Sequence, residues 1–356
     1  MTRHRIARLR KELTEKSLDA FVVSSLHNIR YLTGFSGSNA LCIVRPREAI
    51  FLTDSRYNQQ SRVEVKGFKR KTVASGLVEA AARNGNLRGC KKVGFESHYV
   101  SYTQYRTLRK TFPSVSFVPT LDIVETLSLV KDREEVRRIT EAVSISDKVF
   151  DQIVKIIRPG VKELEIAAEI SYLNKKFGGE EDAFGPVVAS GTRGSWPHAR
   201  PTSKRIKNGE LVTLDFGCTL RGYNSDISRT VAVGRISRRS RDIYETVLDA
   251  QRMAIAAARG GMWAKDLDAV ARKRIKAAGY GKYFIHSLGH GLGLHVHERP
   301  RVSALSKEQL KAGSVITIEP GIYMPRFGGV RIEDDILLTE NGCQVLNSAP
   351  KELMIL

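Results

Sequence analysis

Two segments of the sequence, Lys207–Gly217 (KNGELVTLDFG) and Lys311–Gly321 (KAGSVITIEPG), match in register 104 residues apart. The match puts Asp215 over Glu319 and Thr213 over Thr317, with apolar residues at the intervening positions. Each segment continues through a glycine-containing turn, RGYNSD or PRFGG, into a second apolar run, so each predicts a long β-hairpin. The returning strands carry Asp226 and Glu333, and four carboxylates therefore converge. Side chains of this kind repel one another and lose hydration when buried, so a cluster of them in core strands needs a compensating cation. Any one of these acids, viewed alone, reads more simply as an exposed strand or turn residue. The pairing of two hairpins is what points to a metal centre.

Four of the chain's eight histidines, His286, His290, His295 and His297, fall within the run HSLGHGLGLHVH. His290 is the best imidazole ligand of the four, and the glycines around it allow close backbone approach to a ligand or metal. His295 reads as a structural or surface residue. His198 and His297 differ from the others because HARP and HERP occupy matching places in the repeat, which would bring them to opposite sides of one site. Oxygen-rich coordination with one imidazole suits manganese, cobalt, iron or zinc, and two such ions can share carboxylates.

These strands need helices to carry them. Pro159–Glu165 (PGVKELE) resembles Gly260–Asp268 (GGMWAKDLD), extending the repeat upstream, and KDREEV at Lys131–Val136 opens a helix with Val136, Ile139, Val143, Ile145 and Val149 on one face. Residues 131–356 thus read as an α+β domain with a pseudo-twofold internal repeat. In residues 1–130 the short apolar runs Ala20–Ser24, Ala40–Val44 and Ala49–Thr53 alternate with helical stretches, which predicts a smaller α/β domain. A length of 356 residues accommodates both.

Composition limits the alternatives. With 42% hydrophobic and 27% charged residues the chain is expected to fold throughout. No apolar run reaches about 18 residues, so no membrane span is expected, and the opening MTRHRIARLRKEL reads as a basic amphipathic helix, not a leader; this predicts a cytoplasmic protein. Cys42, Cys90, Cys218 and Cys343 form no C-x-x-C pair, which argues against a zinc knuckle or a disulfide framework. The net charge of +20 is spread over both parts without a basic block interleaved with aromatics, so no specific nucleic-acid partner is expected.

Taken jointly, TLDFG with Asp215, NSDISRT with Asp226, SLGHGLGLHVHERP with His290, TIEPGIY with Glu319 and GGVRIEDD with Glu333 resemble the pita-bread superfamily of methionine aminopeptidase, aminopeptidase P, prolidase and creatinase. YLTGFSGSNA and LTDSRY resemble the N-terminal domain of aminopeptidase P and prolidase, which points to peptides with proline at the second position as substrates. The resemblance implies two divalent ions per chain, manganese before cobalt, zinc or iron. Asp215 would hold one ion, His290 and Glu319 the other, and Asp226 and Glu333 would bridge them. It further implies that Glu319 handles the nucleophile's proton, His297 contacts the transition state or leaving nitrogen, and His286 steadies the developing oxyanion. His198 and His297 would line the proline side, with Arg331 either near the substrate's far side or a structural support behind the ligands. A homodimer is implied as well. Trp196, in RGSWPHARP, departs from the aliphatic residue common in prolidase-like members. Between the two activities, the expectation is an Xaa-Pro aminopeptidase, with an Xaa-Pro dipeptidase as the alternative; a binding module without metals is remote because the ligand set is intact.

Overall fold

The computed structural model describes residues 2–74 and 76–356. The chain divides into two compact units, the first ending at Ser128 and the second comprising Leu129–Leu356.

The first unit runs α1 (Thr2–Glu15), β1 (Ala20–Val23), α2 (Leu26–Thr33), β2 (Ala40–Val44), β3 (Ala49–Asp54), α3 (Asn58–Glu64), β4 (Lys69–Val73), α4 (Leu77–Arg83), β5 (Lys92–Glu96), α5 (Tyr102–Thr111), β6 (Ser116–Thr120) and α6 (Ile123–Ser128). Its strands form one sheet in the order β4-β3-β2-β1-β5-β6. Every residue of β1 and β2 is buried, as their uninterrupted apolar sequences require. At one edge lies β4 (KRKTV), whose exposed Lys69 and Lys71 discourage pairing with another chain. LTDSRY and GFSGSNA pack against each other here: Asn39 Nδ2 donates to Asp54 Oδ2 at 2.6 Å, and the Ser38 and Tyr57 hydroxyls lie 2.6 Å apart.

The second unit opens with α7 (Arg133–Ile153), started by a capping box in which Asp132 and Glu135 satisfy each other's backbone N–H groups. There follow α8 (Glu163–Lys176), β7 (Glu181–Asp182), β8 (Val187–Ser190), β9 (Leu211–Phe216), β10 (Cys218–Leu220), β11 (Tyr223–Asn224), β12 (Ile227–Ala232), α9 (Arg238–Ala257) and α10 (Ala264–Ala277). The chain then supplies β13 (Gly289–Gly291), β14 (Glu298–Val302), β15 (Val315–Ile318), β16 (Gly321–Met324), β17 (Gly328–Arg331), β18 (Asp334–Leu338) and β19 (Cys343–Val345).

The repeat is visible as two sets of a helix pair followed by an antiparallel sheet. In the first set α7 and α8 precede the sheet β12-β9-β8; in the second α9 and α10 precede the sheet β14-β13-β15-β18-β19. Even isolated bridges recur, Lys162 with Arg205 and Trp263 with Gln309. Each set has its own core. Val149, Ile166, Leu214 and Ile227 belong to one, and Val247, Leu267, Ile316 and Ile336 to the other. The two expected hairpins are present as β9 with β12 and β15 with β18, each pair antiparallel.

Candidate metal centre

Four of the five expected ligands stand on or directly beside the strands of these pairs. Asp215 lies on β9 and Asp226 immediately before β12; Glu319 directly follows β15, and Glu333 immediately precedes β18. His290 is the middle residue of β13, beside β15. Asp226 and Glu333 are buried, and the other three are half-buried on the wall of a cleft of about 860 Å³.

His290 Nδ1 faces the Gly291 carbonyl at 3.1 Å, so this nitrogen carries the proton. Its Nε2 lone pair is thereby directed to Glu319 Oε1 at 3.4 Å and Asp226 Oδ2 at 3.7 Å. Ligand atoms of Asp226, His290 and Glu333 all lie within 4.8 Å of one another. Groups behind them fix the orientation. Ser228 donates to Glu333 Oε2 at 2.8 Å, the Asp226 N–H donates to Asp335 Oδ2 at 3.0 Å, and Thr317 Oγ1 accepts from the His290 N–H at 3.1 Å.

Burial and the charge of neighbouring carboxylates favour the neutral form of Asp226, Glu319 and Glu333. Desolvation, then the Glu333 and Asp215 charges, raise Asp226 well above the usual carboxylate range. Desolvation and Glu333 do the same to Glu319, and desolvation with Asp215 pushes Glu333 up to about 8. Burial, assisted by His297, lowers His290 to about 4 and keeps it a neutral ligand. Asp215 Oδ1 and Asp226 Oδ1 are buried with no hydrogen-bond partner among the described residues. Two orphaned carboxylate oxygens, neutralised acids and an imidazole lone pair among them are a donor set that fits divalent cations.

The glycines flanking His290 have a different reason from the one expected. A Cβ on Gly289 would lie 2.0 Å from the Thr317 carbonyl oxygen, and one on Gly291 would lie 2.1 Å from that of Arg299. They admit neighbouring strands, not a ligand, and so allow β13 to be held between β14 and β15.

His198, His286, His297 and Arg331 line the same cleft. His198 and His297 are exposed to it, and His297 sits beside His290 with ring centroids 4.3 Å apart. Arg331 is buried and fully engaged: Nε donates to Ser228 Oγ at 2.7 Å, Nη1 to Tyr323 OH at 2.8 Å and to the Pro197 carbonyl at 3.2 Å, and Nη2 to Asp215 Oδ2. Tyr323 OH in turn meets His286 Nε2 at 2.9 Å, while His286 Nδ1 faces the Ser287 carbonyl at 2.7 Å. Both ring nitrogens of His286 are thus occupied by its own chain, and desolvation with the Arg331 charge lowers it to about 4. His295 is half-buried and does not line the cleft. Sequence reading missed Ser228, Tyr323 and Arg301. Ser228 was detectable as the same-face neighbour of Asp226, two residues on in the strand. Arg301, exposed on β14 at the cleft wall, carries no local signal.

Comparison with known proteins identifies the family and the fold. Residues 137–340 match the model of metallopeptidase family M24, and residues 5–130 match the creatinase/prolidase N-terminal domain. The chain is 38% identical to the Xaa-Pro dipeptidase of Pyrococcus furiosus over 99% of this chain and 100% of that one. The structure of an Xaa-Pro dipeptidase from Bacillus anthracis superposes with a TM-score of 0.98 at 38% identity, covering 100% of both chains. That of an X-Pro aminopeptidase from Thermotoga maritima gives 0.90 at 36% identity, covering 96% of this chain and 98% of that one. The fold of a creatinase-type N-terminal domain followed by a pita-bread domain is therefore as the motifs implied, and the chain belongs to metallopeptidase family M24.

Proposed function

We propose that the protein is an Xaa-Pro dipeptidase that hydrolyses the bond between an N-terminal residue and a C-terminal proline with the help of two divalent ions. The observation that carries this reading is the set of neutralised acids and the aligned His290 lone pair on one cleft wall. The dipeptidase alternative displaces the aminopeptidase expectation because dipeptidases predominate among the named relatives and solved structures that span the whole chain. A feature of the cleft supports the same choice. Arg200 and Arg301 line it as exposed guanidinium groups with no side-chain partner among the described residues. Arg301, four residues after His297 and fixed on β14, is the natural partner for a free proline carboxylate.

Asp215, Asp226, His290, Glu319 and Glu333 would hold the ions, with Asp226 and Glu333 shared; when bound, they supply a Lewis acid for the scissile carbonyl and lower the pKa of a water. Manganese is the first choice for this oxygen-rich set, with cobalt, zinc and iron as alternatives. Glu319 accepts the proton of the attacking water. His297 donates to the leaving nitrogen, and His198 faces the proline ring from the other half of the repeat. The occupied nitrogens of His286 favour a supporting role through Tyr323 and Arg331 over direct contact with an oxyanion. The reading includes a homodimer and, in keeping with four unpaired thiols, a reducing cytoplasmic setting. No helix among the described residues is long and apolar enough to cross a membrane.

Hydrolysis of Ala-Pro compared with Ala-Pro amide tests the carboxylate contact. The wild type is expected to favour the free acid, and Arg301→Ala to abolish that preference mainly through KM. Equal cleavage of acid and amide by the wild type would oppose the dipeptidase reading.

A further inference from the structure

A second carboxylate-centred cluster lies outside the metal centre. Glu163, in the first turn of α8, is completely buried, yet it accepts hydrogen bonds from five donor groups. Its Oε1 takes the Ser190 N–H and Oγ–H, both at 2.9 Å. Its Oε2 takes the Thr202 N–H at 3.1 Å, the Thr202 hydroxyl at 2.9 Å and Arg193 Nε at 3.0 Å. The backbone completes the tie, since the first α8 amides, of Glu163 and Leu164, donate to the Lys204 and Thr202 carbonyls. Arg193 reaches onward: its Nη2 donates to the Arg200 carbonyl, and its guanidinium lies 5.1 Å from the centre of the Trp196 ring.

Ser190 and Thr202 are the two ends of one loop, and the loop's middle is Trp196-Pro197-His198-Ala199-Arg200. One carboxylate therefore closes the base of the loop, and one guanidinium braces its interior. A loop of this length carrying four cleft residues, Pro197, His198, Arg200 and Pro201, has many conformations of similar energy unless its ends are fixed. The second half of the repeat achieves the same end with other residues. Asp268 on α10 pairs with Arg272 at 2.7 Å and accepts the Leu288 N–H at 3.1 Å, while Arg272 donates to the Phe284 and His286 carbonyls. Each half thus roots its histidine-bearing loop in the second helix of its own pair.

We propose that Glu163 and Arg193 are positioning residues which hold the 190–202 loop so that His198 faces the substrate. The proposal rests on the reading of His198 as a substrate-facing group. Glu163 touches neither substrate nor metal; it acts through the loop.

The test is a double-mutant cycle on the metal-loaded, full-length protein with Ala-Pro, using Glu163→Gln, Arg193→Met and His198→Ala. Glu163→Gln replaces acceptors by an amide that cannot satisfy the same donors, and misplacement of His198 is expected to cost on the order of 10²-fold in kcat/KM. The loss should divide between kcat and KM as it does in His198→Ala, metal content should stay at the wild-type level, and either substitution made in the His198→Ala background should change kcat/KM by less than about twofold. Arg193→Met, at a less buried site, should give a smaller loss with the same non-additivity. Multiplicative losses, or loss of metal in Glu163→Gln, would overturn the proposal. Hydrogen exchange provides a readout independent of substrate: Glu163→Gln should accelerate exchange in residues 191–201 while leaving β9, β12, β15 and β18 unchanged, and an unaltered loop would overturn the clamp. A wild type inactive on Ala-Pro would count against the substrate assignment, and the exchange result would then decide the clamp by itself.

Discussion

Asp226 and Glu333 behave in opposite ways depending on whether a cation stands beside them. Alone they are driven toward neutrality by burial and by neighbouring carboxylates, Glu333 acting on Asp226 and Asp215 on both; beside a dication the ionised form becomes the stable one. Because both are read as shared ligands, Asp226→Ala or Glu333→Ala is expected to release both ions together, as elemental analysis after gel filtration would record. His198→Ala and His297→Ala should retain full metal content and lose roughly 10²- to 10⁴-fold in rate, the span attributable to a lost proton-transfer or transition-state contact. Metal loss from His297→Ala with retention in His290→Ala would show that the ligand is the other histidine. The acids were legible in the sequence because strand alternation and the 104-residue repeat place them without any tertiary knowledge. The chain of contacts from Arg331 through Tyr323 to His286 was not, since it joins residues 8 and 37 positions apart through side-chain geometry alone. Arg331, expected either near the substrate's far side or as a structural support, lines the cleft with its guanidinium committed to Asp215, Ser228 and Tyr323.

At the level of elements, the ligand-bearing strands are held from behind by one side chain. Arg229 on β12 is buried and uses all its donors: Nε to the Pro350 carbonyl, Nη1 to the Ser228 and Glu333 carbonyls, and Nη2 to Asp334 Oδ1 and the Ala349 carbonyl. It joins the two hairpins at the residue that carries Glu333 and fastens the C-terminal segment across them. Tyr244 OH donating to the Lys351 carbonyl and Lys351 pairing with Asp334 add to the same seam. Arg229→Met is expected to lower stability by roughly 3–5 kcal/mol, because it leaves Asp334 and four carbonyls without this donor in a buried site. Urea denaturation of the metal-loaded protein measures this, and a change below about 1 kcal/mol would mean that Lys351 and Gln251 suffice to hold Asp334. The hairpins themselves were readable from alternation and turn residues. The anchoring C-terminal segment was not, because irregular backbone secured by one distant guanidinium leaves no periodic trace.

For the molecule as a whole, the neutralised acids make stability depend on pH in a direction that a metal should reverse. Glu333 has a folded value of about 8 against an ordinary 4.5, so between these limits the unfolded chain gives up a proton that the metal-free folded chain keeps. The stability this contributes is complete below about pH 4.5 and is lost progressively up to about pH 8, with Asp226 and Glu319 acting in the same sense. The metal-free protein should therefore melt at a lower temperature at pH 8 than at pH 6, and the metal-loaded protein should not follow that fall. Calorimetry at matched ionic strength reads this, and it is required because a net charge of +20 makes stability sensitive to salt as well. The central claim is metal-dependent cleavage before a C-terminal proline, and steady-state hydrolysis of Ala-Pro and Ala-Pro-Ala by one preparation, assayed after chelation and again after restoring manganese, tests it most directly. The account predicts no turnover of either peptide without metal, rapid cleavage of Ala-Pro with it, and a kcat/KM for Ala-Pro-Ala lower by at least about tenfold, the value of one lost charge-assisted contact. Undiminished hydrolysis by the chelated protein, or cleavage of Ala-Pro-Ala as efficient as that of Ala-Pro, would contradict it.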